Sequence, residues 1–136
     1  MGIYAGGVLA ANGDTHFVPS AAAVGQKINS SGTVSTYSLI YTNSSGAYQG
    51  GVLSPNGDVH FIPYAAAVGQ KINSSGTVST YSLLYSSSTG AYYGGVLTST
   101  GDIQFIPYSA ANGTKISTLS GFDFKNIALS SFFNKL

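Results

Sequence analysis

The chain of 136 residues contains no cysteine, no tryptophan, no arginine and no glutamate. Without cysteine there is no disulfide framework and no thiolate zinc site, and nothing marks a redox compartment. Charge is scarce too. Five lysines and four aspartates make up 7% of the chain, against roughly 25% in an ordinary soluble domain. A net charge of +1 offers a polyanion no basic patch, so no nucleic-acid partner is expected. No run approaches the roughly 18 apolar residues of a membrane span. Met1-Gly2-Ile3-Tyr4 carries no basic region ahead of an apolar one, so neither a membrane segment nor a signal peptide is expected. No stretch shows apolar spacing of 3.6 over ten residues, so no helix is expected either. With so few charges, either Ser, Thr, Asn and Gly solvate the surface or much of it is to be covered.

What is present is a repeat. Tyr48-Gln49-Gly50-Gly51-Val52-Leu53-Ser54-Pro55-Asn56-Gly57-Asp58-Val59-His60-Phe61-Ile62-Pro63 has counterparts at Tyr4–Pro19 and Tyr92–Pro107, at a spacing of 44 residues. Ala21–Leu39 and Ala65–Leu83 are identical over nineteen residues, consistent with recent duplication or deliberate design. The third copy keeps Gly94-Gly95-Val96-Leu97, Gly101-Asp102, Phe105-Ile106-Pro107, Gly113 and Lys115-Ile116, and then diverges.

Each copy reads as four short strands, taken here from the second. Strand one is Tyr48–Leu53, followed by Pro55-Asn56-Gly57, where Asn-Gly predicts a two-residue hairpin with positive φ at both turn residues. Strand two is Asp58–Pro63, ended by a proline that cannot donate to a ladder. Strand three is Val68–Asn73, and strand four is Thr77–Tyr85, rich in Thr, Val, Tyr and Leu. In the third copy Phe122–Leu129 stands in for strand four, and Phe132-Phe133 is expected to pack as a cap. The triplets at Asn29, Asn43, Asn73 and Asn112 fit a glycosylation pattern but are read as turn chemistry.

Four-stranded units of this length, with tight hairpins and one longer connection, are the pattern of β-propeller blades. A Gly-Gly pair opening the first strand suits an innermost strand, where backbones crowd around the axis. The predicted fold is therefore all-β: three antiparallel blades spanning 3–46, 47–90 and 91–136 of one repeat domain. A β-trefoil monomer is the alternative, since it also uses three repeats of about 40 residues.

The run Gly50–Pro63, its continuation Gly69-Gln70-Lys71-Ile72 and Thr77–Leu83 resemble the GGVLAPNG-type repeat of predicted β-propeller arrays from microbes and viruses. The ending Leu129–Leu136 is similar to the C-terminus of such arrays. The resemblance covers nearly the whole chain; it implies a propeller and carries no known activity. Such arrays are usually longer than three repeats. Three blades fall short of the roughly 4–8 that close a ring and would leave two apolar blade faces bare. Association with itself is thus expected: a homodimer of six blades, or a homotrimer of nine.

Candidate site residues are the polar positions that recur. Asp14, Asp58 and Asp102 share one repeat position, and Lys27, Lys71 and Lys115 another. Such a set could line a face for an ion or sugar, but turn capping or pairing of each Asp with a Lys is the weightier reading. His16 and His60 have Gln104 as their counterpart. Imidazole and carboxamide share hydrogen bonding but not metal affinity or basicity, so a structural or inter-blade bond is expected there. The ten tyrosines suit blade packing more than sugar stacking. With no nucleophile elbow and no phosphate loop opening a helix, the expected function is a non-catalytic, self-assembling propeller module without cofactor or metal. A lectin-like carbohydrate-binding module with repeated sites is the second reading.

Overall fold

The computed structural model describes residues 2–118. The first blade holds β1 (Tyr4–Leu9), β2 (Thr15–Pro19), β3 (Gly25–Ile28) and β4 (Val34–Tyr37). The second holds β5 (Tyr48–Leu53), β6 (Val59–Pro63), β7 (Gly69–Ile72) and β8 (Val78–Tyr81). The third holds β9 (Tyr92–Leu97), β10 (Asp102–Pro107) and β11 (Thr114–Ser117). Each is its own antiparallel sheet with neighbours in chain order. The substitute fourth strand at Phe122–Leu129 and the Phe132-Phe133 cap lie outside the described residues.

The sheets stand side by side through their first strands: β1 lies against β5, and β5 against β9. This is the placement of inner propeller strands, not the shared barrel of a trefoil. At each junction backbone hydrogen bonds join the blades: Ala47 N–H to the Ser20 carbonyl and Ala91 N–H to the Tyr64 carbonyl, both 2.6 Å, with Ala65 N–H to the Gly46 carbonyl at 3.0 Å and Ser109 N–H to the Gly90 carbonyl at 3.1 Å beside them. The Gly-Gly pair serves the packing in two ways. Gly50 has φ +85° and sits at a bulge where the β5–β6 register shifts, a conformation open to glycine. Gly51 faces the first blade, and a Cβ there would lie 2.6 Å from Val8 Cγ2.

Two core clusters fill the junctions. Val8 and Val18 of the first blade meet Tyr48, Phe61, Val59 and Ile72 of the second. Val52 and Ile62 of the second meet Tyr92, Ile103 and Phe105 of the third. Every blade therefore has a leading face (turned to the preceding blade) and a trailing face. Among the described residues only the middle blade has both covered, and all five residues of β6 are buried. In β2 the leading-face residues Thr15 and Phe17 are partly exposed while His16 and Val18 are buried. In β10 the pattern reverses: Ile103 and Phe105 are buried, and Gln104 and Ile106 are exposed.

Three local expectations need correction. The turn after strand one is not a two-residue hairpin. Gly57 N–H bonds back to the Ser54 carbonyl at 3.0 Å, and Gly57 has φ +93°. The same turn forms at Gly13 and Gly101, with Ala11 and Ser99 in place of Pro55, so the left-handed glycine that closes it, not the proline, sets a three-residue loop. Strand three is shorter than Val68–Asn73 because Asn73 leaves to make a turn, its Oδ1 accepting from the N–H of Ser75 and Thr77, both at 2.9 Å. Asn29 does the same for Ser31 and Thr33, which is the turn chemistry expected of it. Strand four stops at Tyr81 rather than Tyr85. Past the strand the chain crosses to the next blade, where Leu83 packs on the second core and Tyr85 meets Tyr92 edge-on.

Candidate functional site

The recurring polar residues assemble at one place in each blade, the hairpin between the first two strands and the strand beyond it. Cross-strand register puts His16 opposite Lys27, His60 opposite Lys71 and Gln104 opposite Lys115. Each lysine reaches the aspartate just ahead of, or opening, the second strand. Lys27 Nζ lies 3.0 Å from Asp14, Lys71 2.9 Å from Asp58, and Lys115 3.7 Å from Asp102. Pairing is thus within a blade. The aspartates also serve the turn: Asn12 Oδ1 accepts from the Asp14 N–H at 3.0 Å, and Asn56 Oδ1 from the Asp58 N–H at 3.2 Å.

The histidines sit on the trailing faces and are buried. Their Nδ1 atoms meet the hydroxyls of Tyr37 and Tyr81 at 3.1 and 3.2 Å. Those tyrosines lie on the fourth strand and must cross the third to get there. Gly25 and Gly69 make that path: a Cβ at either would overlap the tyrosine ring lying across it. Burial raises both phenol pKa values, so the hydroxyls stay protonated. Burial, reinforced by the Lys71 ammonium and opposed by Asp58, pushes His60 down to about 4. The same causes, with Lys27 and Asp14 in those parts, lower His16. The hydrogen bond from Lys27 is the largest influence on Asp14 and lowers its pKa against the effect of burial.

Each carboxylate is committed to its lysine and its turn, and each imidazole is held neutral by its surroundings. Among the described residues no three His or acidic side chains converge as a metal site. The polar cluster of the first blade does border a crevice of about 30 Å3 against the second blade, lined by Asp14, His16, Lys27, Val59 and Asn73 among others. That is room for a water molecule rather than an organic ligand. The repeated positions come together as networks within each blade; in the third blade Gln104 and Lys115 also border an open hollow of about 310 Å3 with Phe105, Ile106, Pro107, Gly113 and Thr114.

Gln70 was not among the residues singled out from sequence. It is fully buried in β7 and reaches the chain leaving the first blade. Its Oε1 accepts from the N–H groups of Ile40 at 2.8 Å and Tyr41 at 3.0 Å, and its Nε2 donates to the Tyr41 carbonyl at 3.0 Å. The signal was a glutamine kept between glycine and lysine at Gln26 and Gln70 and replaced by Thr114 in the third copy.

A second symmetry break lies near the inner strands. Tyr64, Tyr93 and Tyr108 pack together with ring centroids 5.6 to 6.0 Å apart. Tyr93 is 59% exposed and Tyr108 64%. The corresponding junction between the first two blades holds Ser20 and Gln49 instead, joined by a 3.3 Å hydrogen bond.

Separate sheets in chain order, inner first strands and two-faced blades define the chain as part of a β-propeller. Solved structures agree. A streptogramin B lyase structure matches with a TM-score of 0.69 and 23% identity, over 82% of this chain and 36% of that one. A catalytically inactive variant of virginiamycin B lyase from Staphylococcus aureus with quinupristin matches with a TM-score of 0.64 and 20% identity, over 88% and 43%. The selenomethionine form of that lyase gives 0.62 and 19%, over 85% and 41%. The chain thus spans about two fifths of the length of the solved structures it matches. At these identities the likeness is one of fold alone. No family model and no curated protein matches the sequence.

Proposed function

We propose that the chain is a non-catalytic propeller module of the GGVLAPNG repeat type that completes its ring with a second copy, giving six blades. One comparison carries the reading. Phe61 and Ile62 of the middle blade have no exposure, whereas Ile106, the third blade's counterpart of Ile62, is 44% exposed and Val96 49%. Phe17, the counterpart of Phe61, is partly open on the first blade. Among the described residues nothing covers the leading face of the first blade or the trailing face of the third, and these faces carry the residue types that pack together at the internal junctions. A head-to-tail contact would bury both. Light scattering at micromolar concentration should return twice the 13.9 kDa chain mass; three times that mass would mean nine blades, and a monomer would overturn the proposal. Lack of catalysis has its own check. Incubation with quinupristin, the compound named with one neighbour's structure, should leave its chromatographic retention unchanged.

A second reading, carbohydrate binding, rests on the exposed Tyr64–Tyr93–Tyr108 cluster, because stacked tyrosines present both an apolar face and hydroxyls to a sugar ring. It differs from the sequence expectation in being a single site rather than a repeated one. Titration with simple sugars, followed by tyrosine fluorescence in the native chain and in Tyr93→Ala, tests it. Equal signals from the two would remove it.

A further inference from the structure

In each of the first two blades a tyrosine of the fourth strand fills a trench on the trailing face. Tyr37 lies over Gly25 and Tyr81 over Gly69, with ring carbons 2.1 to 2.6 Å from where a glycine Cβ would stand. Their hydroxyls end at Nδ1 of His16 and His60. The third blade keeps the trench. Gly113 occupies the position of Gly25 and Gly69, and Gln104 that of the histidines. Yet a Cβ added at Gly113 would meet only the Phe105 carbonyl oxygen at 3.1 Å and Pro107 Cδ at 3.6 Å. Among the described residues no ring lies over that glycine. In its place is the hollow of about 310 Å3 bordered by Gln104, Ile106, Pro107, Gly113 and Lys115. No tyrosine follows Tyr108 in the sequence, so the third repeat has no counterpart of Tyr37 and Tyr81.

We propose that this trench is a binding site for a small para-substituted phenol, seated as the tyrosine side chains are seated in the other two blades. Three features specify the class. Gly113 gives a floor without a side chain, and a strand glycine of this kind admits close approach of another group. Ile106 and Pro107 border it with apolar surface for a ring. At its end the Gln104 carboxamide can accept a hydrogen bond from a phenol hydroxyl or donate one to it, a neutral partner like the imidazoles it replaces. The para carbon has an exit. In the other blades the tyrosine Cβ comes from the outermost strand, and both tyrosines stay partly exposed there. The hollow is at the small end of ligand pockets, which span roughly 300–1,000 Å3, so a single ring with a short substituent fits it best. The site does not depend on ring closure, since Tyr37 and Tyr81 hold the same place at covered junctions.

Titration of the full chain with p-cresol, followed residue by residue by NMR and with toluene as the control, tests the site. p-Cresol, the tyrosine side chain as a free molecule, should shift the amides of Gln104, Ile106 and Gly113 and saturate. Its affinity should exceed that of toluene about fivefold, the ratio expected of one hydroxyl hydrogen bond. Gln104→Leu should erase that preference and leave toluene bound as before. Gly113→Ala puts a methyl group on the floor and should weaken both ligands about tenfold or more, with circular dichroism and melting confirming the fold. Should that variant fail to fold, the p-cresol to toluene ratio in Gln104→Leu still decides the matter. Amides of the trench that stay unshifted up to the solubility of p-cresol overturn the site. So does a preference for p-cresol that survives Gln104→Leu. Shifts centred on Tyr64, Tyr93 and Tyr108 instead would place the phenol at the exposed tyrosine cluster and overturn it as well.

Discussion

Gln70 holds Tyr41 by both sides of its carboxamide, Oε1 accepting from the Tyr41 N–H and Nε2 donating to the Tyr41 carbonyl, each at 3.0 Å. In effect a side chain of β7 takes the place of a neighbouring strand for the segment that joins two blades. Replacing it with leucine would leave those main-chain groups, and the Ile40 N–H, without partners at a closed junction. Because Ile40 is itself well exposed, water recovers part of the loss. Gln70→Leu should therefore cost about 2–3 kcal/mol, measured by urea unfolding.

The third blade lacks this grip, and the contrast can be reversed. Thr114 spends its hydroxyl on Tyr92, 2.6 Å away, and Leu84, the counterpart of Ile40, is 90% exposed. A hollow of about 280 Å3 lies among Leu84, Tyr85, Tyr92 and Thr114, beside the position a longer carboxamide would occupy. Thr114→Gln should fasten Leu84 and Tyr85, slowing exchange of their amides about fivefold for roughly 1 kcal/mol gained. Hydrogen exchange resolved by residue is the measurement.

The glycine pair separates steric from conformational cost. Gly51→Ala places a Cβ 2.6 Å from Val8 Cγ2 and 3.1 Å from the His60 carbonyl, so the first two blades must part to admit it. A loss of about 2–3 kcal/mol is expected. Gly32 has φ +87° and no atom within 4 Å of an added Cβ. There Gly32→Ala costs backbone strain alone, about 1 kcal/mol. Paired denaturation curves distinguish the two sites.

Acid should weaken the second junction before it protonates the carboxylates. His60 ordinarily titrates near 6.5 but is held down to about 4 in the fold. Between those values the unfolded chain binds a proton that the folded chain refuses, so stability falls as pH drops from 6.5 to 4 and this loss ends below 4. The loss is about 3 kcal/mol. His60→Gln, which copies the third repeat, should flatten that limb of the stability–pH profile. An unchanged slope would place the acid sensitivity elsewhere.

Much of this fold is legible in the sequence because the repeat fixes it three times over. The 44-residue spacing and the alternation along Val59–Ile62 give blade, strand order and inner strand at once. The Asp–Lys pairing follows from scarcity, since so few charges in register have few other partners. What stayed hidden was of two kinds. The crossing of Ser82–Tyr85 to the next blade could not be read because Leu and Tyr suit a strand and an inter-blade contact equally. The role of Gln70 was obscured because an uncharged polar residue in a short strand looks like solvent-facing alternation until the adjoining blade is in place. Likewise, Tyr37 and Tyr81 reach their histidines only across glycines two strands apart, a relation no local window contains.

The identical segments Ala21–Leu39 and Ala65–Leu83 lie in blades with different neighbours, so the chain carries its own spectroscopic reference. For a matched pair whose cross-strand partner also matches, such as Gln26 opposite Phe17 and Gln70 opposite Phe61, the amino-acid context is the same and the covering surface differs. A resonance difference within a pair reports that cover and little else. As the leading face of the first blade fills, the two sets of signals should draw together, and the residual splitting at each position would map where the new seam departs from the old one.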